Sequence, residues 1–264
     1  DEEPLVSVII PNKDHTDDLD KCLNSLIGKQ SYGNYEILIV ENNSTEAETF
    51  EYYKTLESRH DCVRMLYYEG EFNFSRINNF AAKHAKGEYL LLLNNDTEML
   101  DKDCLRELVG VGLRPEVGAV GARLLYSDGV MQHAGVIIGL SGVAGHAFVG
   151  EPGENPGYFA RAVIAQNYSA VTAACLLVRK SVYEEVGGFE EELKVDFNDV
   201  DFCLKIREKG WLIVYNPAAR LYHYESKSRG MSDTPEKLAR FNREASYMFT
   251  KWKKIYDKGD PNYN

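Results

Sequence analysis

The sequence predicts an α/β fold: a mostly parallel central sheet flanked by helices, with a smaller antiparallel element and a C-terminal helix. Three observations carry this. Four apolar runs in the first half alternate with segments whose apolar residues recur at helical spacing. After Val117 the pattern shifts to glycine and β-branched residues. Near the end, Pro235 follows Asp233 and Thr234, an arrangement that starts helices.

Taken in order, LVSVII (Leu5–Ile10) reads as a short buried strand, and Leu19, Cys22, Leu23, Leu26 and Ile27 mark the helix after it. YEILIV (Tyr35–Val40) is the second strand, followed by the polar turn ENNS and a helix through Phe50, Tyr53 and Leu56. CVRMLYY (Cys62–Tyr68) is the third, and Ser75 stands where it can cap a helix carrying Ile77, Phe80 and Ala81. YLLLL (Tyr89–Leu93) is the fourth, with Leu105, Leu108 and Val109 on the next helix. Strands apolar throughout, alternating with helices, imply a parallel sheet covered on both faces. The stretch after Val117 reads as antiparallel strands and loops, turning at Ser127-Asp128-Gly129. Residues 150–160 (GEPGENPGYFA) form a surface loop. SAVTAACLLVRK is another buried strand. A helix runs from about Asp199 to Lys209 and stops at Gly210, and LIVY is a late strand. Phe241, Met248, Phe249 and Trp252 lie along the last helix, which packs either on its own domain or on another copy in a homo-oligomer. The whole chain, 1–264, is expected to be one domain: a nucleotide-binding half at 1–116, an acceptor and catalytic half at 117–232, and a helix and tail at 233–264.

With 264 residues, 44% of them hydrophobic, the chain can bury a substantial core. A net charge of -11 argues against a nucleic-acid partner, because an acidic surface repels phosphate backbones. A metal or helix N-termini can still make such a protein hold a phosphate ligand locally. The five cysteines form no CxxC pair and sit mostly among apolar neighbours, as expected of reduced core thiols in a cytoplasmic protein. No apolar run approaches the roughly 18 residues of a transmembrane helix. The chain begins DEEPLVSVII, without an initiator Met, as would a piece cut from a longer protein. Between Lys237 and Lys258, seven Lys/Arg stand against Glu244 and Asp257. A solvated helix face explains this stretch; peripheral contact with the inner face of an anionic membrane is the sharper reading.

In a doubly wound sheet, ligands bind beyond the carboxyl ends of the strands. Those ends carry Pro11, Asn12, Lys13 and Asp14; Glu41, Asn42, Asn43 and Ser44; then, past the third strand, Asn73, Ser75, Arg76, Asn78 and Asn79; and finally Asn94, Asn95 and Asp96. Any one of these is just a polar turn, and Asp96 alone would be read as a cap. Four on one rim suggest a polar ligand such as a nucleotide or sugar. Neither GxGxxG nor GxxxxGK[ST] follows the first strand, which weighs against dehydrogenases and P-loop enzymes. Asp96 with a divalent cation would suit a diphosphate. Asp196, Asp199 and Asp201 crowd a helix start; they suit its dipole, and their mutual repulsion would raise the pKa of one toward that of a general base. His223, Glu225, Ser226 and Arg229 follow the last strand, where a metal or diphosphate role is plausible.

Together these segments resemble family 2 glycosyltransferases of the GT-A fold. VSVIIPNKD, VENNS, FNFSRINNFAAKHAKGEYLLLLNNDTE, SAVTAACLLVRK, EEVGGFEEEL, NDVDFCLKIREKGW and LYHYESKSRG follow that family's order over nearly the whole chain, and DPNYN resembles the tail of a bacterial surface-polysaccharide branch. The resemblance implies an inverting transfer of a sugar from a UDP- or dTDP-linked donor to a glycan acceptor that is lipid-, polymer- or protein-linked. It implies that Pro11, Asn12, Asp14 and Glu41 line the nucleoside pocket, that Asn73 and Asn78 help hold the nucleotide, and that Asn94 bonds ribose. Asp96 and His223 would hold Mn2+ or Mg2+, Arg229 would steady the leaving diphosphate, and Asp199 would be the general base. Thr172, Ala173 and Ala174 match the strand beneath the sugar, Trp211 is expected in the core, and Gln132 and His133 stand where sugar contacts are possible. Two departures both remove negative charge: the DxD motif is Asn94-Asn95-Asp96, and the Glu-Asp pair before the helix is Asn198-Asp199. Metal dependence is therefore expected to be weaker than usual. The competing readings are a catalytically silent glycan- or partner-binding module, and a sugar nucleotidyltransferase. The latter needs a Gly-rich basic signature that PNKDHTDD lacks.

Overall fold

The computed structural model describes residues 3–224 and 234–263. In chain order the elements are β1 (Val6–Asn12), α1 (Thr16–Leu26), β2 (Tyr35–Glu41), α2 (Ala47–Arg59), β3 (Val63–Tyr67), α3 (Phe74–His84), β4 (Tyr89–Leu93), β5 (Thr97–Met99), α4 (Cys104–Gly112), β6 (Val117–Leu125), β7 (Met131–His133), β8 (Val136–Ile138), β9 (Ala144–His146), β10 (Gln166–Asn167), β11 (Cys175–Arg179), α5 (Lys180–Glu185), α6 (Asn198–Glu208), β12 (Leu212–His223), α7 (Pro235–Lys251) and α8 (Lys253–Lys258).

The main sheet runs β10-β12-β6-β11-β4-β1-β2-β3, with β5 added to β12 and β7 to β6. Strands β3, β2, β1 and β4 are parallel, as the βα alternation predicts. β11 enters antiparallel between β4 and β6, and β12 lies parallel to β6. The glycine-rich stretch therefore continues the same sheet before it supplies the small antiparallel pair β8–β9. The turn at Ser127–Gly129 joins the antiparallel β6 and β7: Tyr126 N–H donates to Val130 O (2.8 Å), and Gly129 N–H donates to Tyr126 O (2.9 Å).

The leucine run shows why β4 is central. Successive side chains point to opposite faces. Leu90 and Leu92 join the core shared with α3 and α6, while Leu91 and Leu93 join the one shared with α1 and α4. All four are at most 2% exposed, and each buried leucine contributes about 1.5–3 kcal/mol relative to an exposed one. Four of the five cysteines are likewise buried, and all are free thiols.

Several local expectations change. The α3 cap is Asn73, whose Oδ1 accepts from Arg76 N–H at 3.0 Å. Ser75 lies inside the first turn and donates its hydroxyl to Leu193 O at 2.6 Å. The late strand extends twelve residues to His223 because it passes through a bulge between Asn216 and Arg220. Pro217, in that bulge, has no N–H to offer a ladder. Trp211 is only half-buried, since it precedes β12 at the sheet's end; its ring N–H reaches Glu185 at 3.3 Å and its ring lies 5.6 Å from the Arg179 guanidinium. Thr234 caps α7 by accepting from Lys237 N–H (3.3 Å). That helix folds back on the domain, burying Glu244, Met248 and Trp252. In the basic stretch, Arg240 pairs with Asp196, Lys251 with Glu190 and Asp201, and Lys253 with Asp257. No helix among the described residues is long and apolar enough to cross a membrane.

Candidate active site

The parallel strands β1, β2 and β4 end on one rim. Because β11 runs the other way, its start lies on that rim too, and Asn94 N–H donates to Ala174 O at 3.0 Å. Beyond its bulge, β12 pairs antiparallel with the three-residue β5, setting His223 opposite Thr97. Tyr224 N–H then donates to Asp96 O at 2.9 Å. This pairing carries His223 across 127 residues of sequence to Asp96, leaving His223 Nε2 3.2 Å from Asp96 Oδ1.

The His223 ring is held from behind. Its Nδ1 lies 2.7 Å from Gln132 Oε1. An amide oxygen only accepts, so Nδ1 donates to it and Nε2 is turned toward Asp96 and the Asn94 amide, the latter at 3.2 Å. No group of three or more His, Cys, Asp or Glu able to hold a metal occurs among the described residues. One carboxylate and one imidazole at a corner still fit a hard cation whose other positions are taken by water and phosphate oxygens. Arg229 lies outside the described residues.

Two cavities meet here. One, of about 310 Å³, is bordered by Pro11, Asn12, Asn42, Asn95, Asp96 and Phe72. The other, of about 260 Å³, is bordered by Asp199, Gln132, His146, Phe197 and the Thr172–Ala174 segment. Asn94, His223 and Phe74 line both and so form the wall between them.

Of the residues expected around a nucleotide, Pro11, Asn12, Asn94 and Asp96 reach the first cavity; Asp14, Glu41, Asn73 and Asn78 do not line it. Glu41 is buried and its carboxylate accepts from Ser44 N–H (2.6 Å), Ser44 Oγ (2.5 Å) and Tyr53 OH (2.7 Å). Asn12 Nδ2 donates to Tyr53 OH (2.7 Å), and Asn95 Nδ2 donates to Asn12 Oδ1 (2.6 Å). Glu41, Tyr53 and Asn12 are thus a buried relay that ends on half-buried Asn95, and of the four Asn12 and Asn95 line the cavity. Asn73 caps α3 and donates to Glu191 O at 2.9 Å, while Asn78 is buried and donates to Phe74 O at 2.8 Å. Asn42 was visible only as part of a polar turn. It borders the first cavity, and its Nδ2 donates to the carbonyls of Tyr68 and Gly70 (3.1 Å each), which ties the turn after β2 to the segment after β3.

Asp14 caps α2 from another segment, since Glu46 makes no cap of its own. It accepts from the backbone of Thr45 (3.0 Å) and Glu46 (3.1 Å) and from Thr49 Oγ1 (3.2 Å). Burial pushes its carboxyl up, but these donors outweigh that and hold it below the usual carboxylate value. Asp14→Ala is expected to destabilise the fold by about 0.5–2 kcal/mol, the range for a lost cap. With a depressed folded pKa, the native carboxylate's contribution is full above the unfolded value near about pH 4 and fades as pH falls through the folded value. Urea titrations across acid pH should therefore show a shallower acid decline in the variant.

Each of the three clustered aspartates has donors of its own. Asp196 meets Arg240 at 3.4 Å. Asp201 is fully buried against the Trp252 ring N–H and Lys251 Nζ, both at 2.8 Å. Asp199, at the start of α6, accepts from Ala173 N–H (3.2 Å) and Val200 N–H (2.8 Å) while bordering the second cavity. His133 is fully buried outside both cavities, and burial, with His146 and His223 nearby, keeps its pKa well below the ordinary value.

The sequence profile described as Glycosyl transferase family 2 matches residues 7–187. The chain belongs to glycosyl transferase family 2. It is 50% identical over 262 residues to "Uncharacterized protein y4gI" of Sinorhizobium fredii, covering 99% of this chain and 29% of that protein. It is 41% identical over 263 residues to the O-antigen biosynthesis protein RfbC of Myxococcus xanthus, covering 99% and 20%. The chain thus spans less than a third of the length of either relative. The mannosyltransferase PcManGT from Pyrobaculum calidifontis, solved with GDP-Man and Mn2+, matches over 96% of this chain and 65% of its own at a TM-score of 0.69 and 18% identity. The shared architecture is the GT-A fold.

Proposed function

We propose that the protein transfers a sugar from a UDP- or dTDP-linked donor to a glycan hydroxyl with inversion, Asp199 acting as general base. The observation that carries this is the shared wall: Asp96 borders one cavity, Asp199 the other, and Asn94 and His223 belong to both. A donor diphosphate against the wall and an acceptor beside Asp199 would bring nucleophile and anomeric carbon together there. Asp199 takes the hydroxyl proton as oxygen bonds the anomeric carbon. The bond from that carbon to the diphosphate oxygen breaks opposite, its electron pair leaving with the nucleotide.

Asp96 and His223 would hold Mn2+ or Mg2+, the cation neutralising the diphosphate; PcManGT was solved with Mn2+ alongside its nucleotide sugar. Gln132 keeps His223 in the tautomer this requires. With Asn94 in place of a carboxylate, dependence on the cation should be weaker than with two acids. RfbC, by its name, serves O-antigen biosynthesis, which favours a bacterial surface polysaccharide as product, made from cytoplasmic nucleotide sugar at the inner face of the membrane. Calorimetry tests the reading. UDP or dTDP should bind more tightly with Mn2+; if no nucleotide diphosphate binds with or without the cation, a silent glycan- or partner-binding module becomes the better account.

A further inference from the structure

The segment that leads into Asp199 has no ladder of its own. Residues 191–197 form neither helix nor strand, and Phe197, at the α6 N-cap, has left-handed backbone (φ 60°) with no side-chain cap bond. Such backbone is costly for a bulky residue and persists only where its surroundings impose it. Two elements do so. On one side the α3 start takes the carbonyls: Asn73 Nδ2 donates to Glu191 O (2.9 Å), Ser75 Oγ to Leu193 O (2.6 Å) and Phe74 N–H to Lys194 O (2.9 Å).

On the other side α7 takes the N–H groups. Three consecutive ones, from Lys194 (3.2 Å), Val195 (3.3 Å) and Asp196 (2.6 Å), converge on the carboxylate of Glu244. Glu244 is 4% exposed. A buried carboxylate is costly unless donors surround it, and here they are the backbone of the segment carrying the base. Arg240, one turn earlier, lies 3.4 Å from Asp196 and 3.9 Å from Glu244, and Phe241 packs on Phe197 with ring centroids 5.2 Å apart. Val195, Asp196 and Phe197 border the same cavity as Asp199.

We propose that Glu244 is a positioning residue for catalysis: its carboxylate gathers the backbone of residues 194–196 and so sets where Asp199 stands. The C-terminal helix thereby becomes part of the active-site framework. This rests on the reading of Asp199 as base. Misplacing a reacting group by about 1 Å costs on the order of 100-fold in rate, whereas the nucleotide cavity borders no part of α7. Glu244→Gln puts an amide NH2 among N–H donors and leaves one acceptor oxygen for three of them.

The test is steady-state kinetics on Glu244→Gln, with Met248→Ala as control because it removes a wholly buried contact from the same helix. Glu244→Gln is expected to lower kcat about 10–100-fold, with donor KM and nucleotide affinity within about twofold, and to speed amide exchange at 194–196. Glu244→Asp should recover part of the rate. Met248→Ala should lower the Tm but leave kcat nearly unchanged. If Glu244→Gln does not fold, Arg240→Ala should show a smaller loss in the same direction.

In an Asp199→Asn background, Glu244→Gln should have no further effect on the residual rate. The proposal is overturned if Glu244→Gln lowers kcat equally with or without Asp199, if Met248→Ala lowers it as much at matched stability, or if a folded Arg240→Ala loses none. Full activity of Asp199→Asn alone would instead remove the base reading, and the proposal with it.

Discussion

Asp199→Asn is expected to lower turnover by about 100- to 10,000-fold, the usual worth of a positioned acid or base, while leaving nucleotide diphosphate affinity nearly unchanged. The geometry argues for this separation. Asp199 borders the second cavity and not the one lined by Pro11, Asn12 and Asp96. Asparagine keeps the volume but only one of the two bonds, because the Ala173 and Val200 N–H groups donate to different carboxylate oxygens and an amide has a single acceptor oxygen; unfolding is therefore followed beside the kinetics. What it cannot do is take a proton from an acceptor hydroxyl. Single-turnover assays beside calorimetry separate the two effects. A variant with wild-type turnover would assign the base elsewhere, and one that loses nucleotide binding would place Asp199 in donor recognition.

Loss of the rim pair should act on the other side. Asp96→Ala and His223→Ala are each expected to weaken Mn2+-supported nucleotide binding about 100-fold or more, since even the outer partners of metal ligands are worth about 10–100-fold. Binding measured without the cation should change far less. The two substitutions differ structurally. Removing His223 also strips Gln132 Oε1 of a buried donor, which costs about 1–3 kcal/mol of stability; removing Asp96, which is less buried, should cost less. Calorimetry across a Mn2+ series, with unfolding followed in parallel, distinguishes the effects. If both variants keep the wild-type Mn2+ dependence, the pair is only an ion pair and the cation binds elsewhere or not at all.

The legible parts of this protein were those whose signal is local. A five-residue apolar run that ends in a polar turn and alternates with helical segments reads as a strand covered on both faces, so β4 and the turn holding Asp96 could be read directly. The helix beginning at Asn198 showed itself by its acidic first turn and by Gly210. The illegible parts depend on long-range register. β5 is three residues long, too short to show a period, yet it brings His223 to Asp96. Asp14 and Glu41 stand in rim turns, and the family resemblance implied a place in the nucleoside pocket; in the fold one caps α2 and the other anchors Tyr53. A turn residue's sequence does not say whether its side chain points to solvent, to ligand or to the neighbouring turn.

Glu244 is the clearest instance of the limit. In the sequence it was one acid within a basic stretch. Its three backbone donors lie 48 to 50 residues away, and only helix packing sets it against them. By itself, the sequence determined the alternation of elements, the two-faced burial of the parallel strands and the chemistry of each turn, because those follow from periodicity and residue type. The tertiary structure alone decided which carboxylates of those turns face a cavity and which are consumed as internal anchors. Those outcomes turn on strand order, on the bulge in β12 and on where α7 folds back, each set by packing between segments distant along the chain.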